Sequence, residues 1–310
     1  MPLPPLDPDA AAIAAAMTDL PPMRARGITA IRESLEAVPH PSGLPTADVE
    51  DREIPGDILV RIYRPTADER APVLVYFHGG GMCMGTIHSF EPLARHLAAA
   101  SGATVVSVGY RLAPENPPPA QFDDAYAATA WVADHTADLH VDPERLAVVG
   151  DSAGGTLAAA VALAARDRGG PAIACQVLMY PGLDRDLGAR SIAECADAPI
   201  LSRDDVLYLN ELADSGRGHP DHAYRIPAYA ADLTGLPPAI VVTAECDPIR
   251  DWGERYAHRL RESGVQTTLT RYPGAYHGFA LQAAYLARGR LAIAETGALL
   301  RAKFAHPLPF

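Results

Sequence analysis

Five near-continuous apolar runs, spaced by helix-length stretches, constrain this chain most. They are "APVLVYFHG" (71–79), "ATVVSVGY" (103–110), "RLAVVGDS" (145–152), "AIACQVLMY" (172–180) and "PAIVVTAECD" (238–247). A strand that reads apolar at nearly every position is buried on both faces, which is the condition of a parallel sheet covered by helices. Helical patterns fill the gaps at about 89–101, 118–135, 153–168 and 251–263. "QTTLTRYPG" (266–274) reads as one more strand and 281–304 as a final helix. Upstream, 48–54 and "DILVRIYRP" (57–65) alternate, as antiparallel strands at a sheet edge do. Alternating strands and helices predict a doubly wound α/β fold.

Two segments break the rhythm. Residues 1–45 are Ala-rich and helical, interrupted by "LPPM" and "PHPSGLP". Residues 184–235 form a long acidic insertion between two buried strands, with a helix expected near 203–213. Insertions of this length form lids or caps.

Composition excludes several functions. With 48% hydrophobic residues the chain can build a large core. A net charge of −12 repels phosphates, so neither nucleic acid nor an anionic membrane is expected as a partner. No apolar stretch is long enough to span a membrane. The N-terminus carries Asp7 and Asp9 and lacks a basic start, so it reads as a helix rather than a signal peptide, and a cytoplasmic location is expected. The four cysteines, Cys83, Cys175, Cys195 and Cys246, form no C-x-x-C pair and are read as reduced thiols. The only lysine is Lys303, near the end. That argues against a P-loop, a pyridoxal Schiff base and a Ser-Lys hydrolase.

The chemistry concentrates after the strands. "VVGDSAGG" (148–155) holds G-x-S-x-G, with Ser152 between an apolar strand and an Ala-rich helix. That setting forces a serine onto a sharp turn and exposes its hydroxyl; the competing reading is a helix N-cap. "HGGG" (78–81) follows the third strand, where bare backbone can approach a substrate oxygen. Gly80, Gly81 and Ala153 are the candidate oxyanion donors, with His78 and Gly79 shaping the loop. No G-x-G-x-x-G or P-loop lysine supports a nucleotide-binding loop instead. In chain order Ser…Asp…His, Asp247 and His277 are the matching acid and base, each on a loop after a strand. Asp251 is the nearest rival acid, expected to cap or brace the next helix. Asp151 is read as support for the turn, and Asp184 belongs to an earlier strand's loop. Met82, Phe90, Tyr208 and Leu209 are candidate pocket residues. His219, Asp221 and His222 have a spacing compatible with metal, but further ligands are missing and no metal is expected. Cys83 and Cys246 flank the key loops and are read as small buried side chains.

Together "HGGG" (78–81), "YRLAPE" (110–115), "GDSAGG" (150–155), "DPIRD" (247–251) and "HGF" (277–279) resemble the bacterial hormone-sensitive-lipase-like family of α/β-hydrolases, over about 70–280. The "GDSAG" form is similar to the branch that uses Asp as the acid. The resemblance implies an α/β-hydrolase fold: a mostly parallel eight-stranded sheet flanked by helices, with a mostly helical cap. The cap would join residues 1–45 to 185–225, and the core would comprise 46–184 and 226–310. It implies a cofactor-free serine carboxylesterase for short- to medium-chain acyl esters, and dimerisation through the sheet edge as in many members. Met82, Trp252 and "YRIPAYA" (224–230) depart from the family pattern, without touching the three inferred catalytic residues. Amide or carbamate hydrolysis and N-deacetylation could use the same residues. A small-molecule receptor on this fold is the non-enzymatic alternative, and the complete Ser-Asp-His set argues against it.

Overall fold

In the computed structural model, residues 3–17, 20–45, 47–66, 70–214 and 223–306 are described. Eight strands form one sheet: β1 (Asp48–Ile54), β2 (Ile58–Arg64), β3 (Ala71–Phe77), β4 (Thr104–Gly109), β5 (Val141–Asp151), β6 (Cys175–Met179), β7 (Ala239–Cys246) and β8 (Thr267–Tyr276). Their order is β1-β2-β4-β3-β5-β6-β7-β8. The β1–β2 and β2–β4 pairs are antiparallel, and every other pair is parallel. The helices are α1 (Pro8–Ala16), α2 (Met23–Arg26), α3 (Ile28–Glu36), α4 (Glu91–Ser101), α5 (Ala120–Asp134), α6 (Thr136–Leu139), α7 (Ala153–Arg168), α8 (Arg190–Glu194), α9 (Arg203–Asp214), α10 (Arg250–Glu262) and α11 (Ala287–Ala305). None is long and apolar enough to cross a membrane.

The apolar runs are buried on both sides, as their composition requires. Val75, Val106, Val148 and Val241 join Ala158, Leu163, Tyr256 and Leu260 on the face covered by α5, α7 and α10. Leu74, Val105, Val149 and Val177 join Leu93, Leu97, Ile293 and Leu300 on the face covered by α4 and α11. Each fully buried Val or Leu contributes roughly 1.5–3 kcal/mol of transfer free energy. A third cluster joins Ile31 of α3, Ile192 of α8 and Val206, Leu209 and Ala213 of α9 to Cys83, Met84, Ile249 and Trp252. Helices α3, α8 and α9 thus pack together over the loops that follow the strands, while Ala10 of α1 joins the core cluster beneath α4 and α11.

Several boundaries differ from the sequence reading. β5 starts at Val141 rather than 145, because Val141 pairs with Ala71 ahead of a register shift. β8 runs through Pro273 to Tyr276; as an edge strand it loses no ladder bond to the missing N–H. The final helix begins at Ala287, and Phe279–Gln282 forms a separate 3₁₀ turn after His277.

Candidate active site

Parallel registration brings the candidate residues to one edge. Phe77 pairs with Gly150, so the "HGGG" loop and the Ser152 turn leave the sheet side by side. Cys246 pairs with Tyr276, so Asp247 and His277 do the same two strands away. Ser152 sits between β5 and α7 at φ 54° and ψ −118°. A left-handed, non-glycine residue costs energy and persists only where its surroundings fix it. Here the Ser152 N–H donates to the Met179 carbonyl at 2.8 Å. A side chain at 154 would run into the Phe77 carbonyl, so only glycine lets α7 start this close to β3.

The Ser152 hydroxyl lies 2.8 Å from His277 Nε2, and His277 Nδ1 lies 2.7 Å from Asp247 Oδ2. Nδ1–H donating to the carboxylate leaves Nε2 to accept the serine proton. Asp247 is fully buried, and its Oδ1 accepts the Ile249 N–H at 2.9 Å. The Tyr180 ring meets His277 edge-on, with centroids 5.1 Å apart.

Asp151 binds the glycine loop to the serine turn. Its Oδ1 accepts the Gly79 N–H at 3.0 Å and the Tyr76 hydroxyl at 2.7 Å. Burial pushes its carboxyl up to about 6, against the pull of these donors. His78 lies behind the loop rather than in the cavity. It stacks on Tyr110 at 4.3 Å, and its Nδ1–H donates to the Gly79 carbonyl at 2.8 Å. Burial lowers its pKa to about 4, so it stays neutral. Gly80 takes φ 107°, and a Cβ there would collide with the Met84 carbonyl. The N–H groups of Gly80, Gly81 and Ala153 meet no backbone or side-chain acceptor among the described residues. From the cap, Arg32 donates to the carbonyls of Cys83 (2.6 Å) and Ala113 (2.7 Å) and pairs with Glu115 at 2.8 Å.

Two chambers meet at Ser152. One, of about 510 Å³, is lined by Met82, Phe122, Leu157, Trp252 and Tyr224. The other, of about 730 Å³, is lined by Met84, Phe90, His277 and the N-terminal residues Leu6, Met17 and Met23. Gly81, Ser152, Leu201 and Leu209 line both. Of the candidate pocket residues, Met82, Phe90 and Leu209 reach the cavity. Tyr208 does not: it is one residue round α9, and its ring lies under the Arg24 guanidinium at 4.9 Å.

Asp251 acts as a brace, accepting the Ser191 N–H at 2.9 Å and so tying α10 to α8, and Asp184 pairs with Arg255 at 3.2 Å. His219, Asp221 and His222 lie outside the described residues. His40, His88 and Glu91 do cluster on the surface. Glu91, however, already holds Arg61 (2.8 Å) and Arg95 (2.7 Å), so a metal ion there would have to displace two guanidinium groups. All four cysteines are buried and unpaired; burial raises the Cys83 thiol to about 12 and Cys246 to about 11. Both remain protonated and unreactive at neutral pH.

Sequence reasoning gave no role to Tyr76 or Arg32 at this site, and read Tyr110 and Tyr180, at the ends of apolar strands, as core or loop supports; their rings lie against His78 and His277. Tyr76 reads as strand core, and the partners of Arg32 lie more than fifty residues away in the chain.

A hydroxyl, an imidazole and a carboxylate in line, at the strand ends of a mostly parallel sheet, define an α/β-hydrolase of the serine-hydrolase type. A family model described as alpha/beta hydrolase fold matches residues 74–281, and the chain belongs to that family. It is 43% identical over 264 residues to carboxylesterase NlhH of Mycobacterium tuberculosis, covering 82% of this chain and 83% of that protein. It is 38% identical over 238 residues to an arylesterase of Saccharolobus solfataricus, covering 74% of each. A solved structure of a hyperthermophilic esterase from the archaeon Pyrobaculum calidifontis superposes with a TM-score of 0.91 at 39% identity, covering 97% of this chain and 99% of that one.

Proposed function

We propose that Ser152, His277 and Asp247 hydrolyse small carboxylic esters through an acyl-enzyme. The family and its esterase relatives set the class, a serine-hydrolase-type esterase. The observation that carries the residue roles is the unbroken relay from the Ser152 hydroxyl through His277 to buried Asp247, opening on a cavity.

His277 takes the serine proton as the hydroxyl attacks the carbonyl, and Asp247 stabilises the imidazolium that forms. The N–H groups of Gly80, Gly81 and Ala153 receive the oxyanion, each worth about 10²–10³ in rate. His277 then protonates the leaving alcohol, and a water activated by the same imidazole releases the acid. The leaving oxygen must lie beside His277. Of the two chambers only the N-terminal one is lined by His277, so it takes the alcohol. The acyl group then occupies the chamber of Met82, Phe122 and Leu157, whose volume suits short to medium chains.

Within the hormone-sensitive-lipase-like family we assign the chain to the GDSAG branch, on Gly150–Gly154 and on an aspartate standing as the acid at 247. Four buried, unpaired thiols support a reducing compartment such as the cytoplasm. Ser152→Ala is expected to fold as the wild type and to lose p-nitrophenyl butyrate turnover by at least on the order of 10⁴-fold. Wild-type turnover in that variant would overturn the assignment.

A further inference from the structure

We propose that Leu209 is the partition between the acyl and alcohol chambers, and that it selects acids unbranched at the carbon next to the carbonyl. The inference rests on the chamber assignment above and names the substrate class for that same site.

Leu209 comes from α9 of the cap, yet it lines both chambers. It is buried, and its methyl groups fill the space a side chain at Gly81 would take: a Cβ there would lie 2.9 Å from both Leu209 δ-carbons. Gly81 takes φ 62° and offers one of the oxyanion N–H groups, so Leu209 stands against the backbone that receives the carbonyl oxygen. Its position is fixed from outside. Arg24 of α2 forms a two-point pair with Glu211 at 2.8 and 2.9 Å and lies over the Tyr208 ring. Leu201 and Val206 pack with Leu209 in the cap cluster.

An ester bound at Ser152 places its carbonyl oxygen at Gly80 and Gly81 and its alkoxy oxygen toward His277. The carbon next to the carbonyl must therefore pass under Leu209 to enter the chamber of Met82 and Leu157. A linear acid sends one carbon through that passage. An α-branched acid sends two, and the second meets the Leu209 methyl groups. One extra methylene at a fitted wall is worth about 10–200-fold in discrimination.

The test is the ratio of kcat/KM for p-nitrophenyl isobutyrate to that for p-nitrophenyl butyrate. Leu209→Ala is expected to raise the ratio roughly tenfold or more, and Leu209→Phe to lower it. A purely structural role would slow both esters together and leave the ratio unchanged. Should Leu209→Ala not fold, Leu209→Val is expected to raise the ratio in the same direction by a smaller factor. An unchanged ratio in a folded, butyrate-active Leu209→Ala or Leu209→Val variant would overturn the partition. Loss of the Ser152 reading is a separate outcome: it would appear as butyrate hydrolysis that survives Ser152→Ala.

Discussion

Asp151 shows how much of this site depends on one buried carboxyl beside the serine. It holds the Gly79 N–H and the Tyr76 hydroxyl while burial raises its pKa to about 6 from an ordinary 3.8. The folded state therefore binds this proton more tightly than the unfolded chain does. The resulting stability is complete below about pH 4 and is lost as the pH rises through 6. Asp151→Asn keeps an oxygen acceptor for both donors and removes the titration. Urea unfolding should show the wild type losing stability relative to this variant between pH 4 and 6, with a constant gap above. A wild type that holds or gains stability relative to the variant over that range would contradict the account. Ser152, Asp247 and His277 were legible as a set because each follows an apolar strand in a fixed chain order. Tyr76 and Arg32 were not. Their roles depend on where a side chain ends in space, and nothing in the surrounding pattern records that.

Among the elements, the parallel strands were the most legible, because burial on both faces leaves no room for polar residues. The ends of elements were less so. The Phe279–Gln282 turn has helical composition but belongs to the loop that presents His277. Tyr208 and Leu209 show the same limit inside α9: adjacent residues point about 100° apart, and the sequence does not say which one faces the cavity. The edge strand β8 carries its own prediction. Among the described residues it pairs only with β7 and has no strand on its other side, and Thr267–Thr270 are half-buried. An open edge is a template for a second chain. We expect a dimer through β8, seen by light scattering as twice 32.8 kDa at micromolar concentration. A particle of 32.8 kDa would contradict it.

For the whole molecule, the loops after the strands carry the reactive groups, and core and cap residues together wall the chambers. The two halves of the cap are separated by about 150 residues in the chain, yet Ile31, Ile192 and Leu209 share one cluster with Met84 and Ile249 from the core loops. The insertion was legible as a break in strand–helix rhythm. The division of the cavity was not, since it arises only when both segments fold over the same edge. The central claim is that Ser152 is the nucleophile of this cavity, and the most direct test is covalent. A small alkyl fluorophosphonate, followed by peptide mass mapping and residual esterase activity, should add one phosphonyl group per chain on the peptide carrying Ser152, with activity falling in proportion. Esterase activity that survives stoichiometric labelling, or a label mapped to another residue, would contradict it.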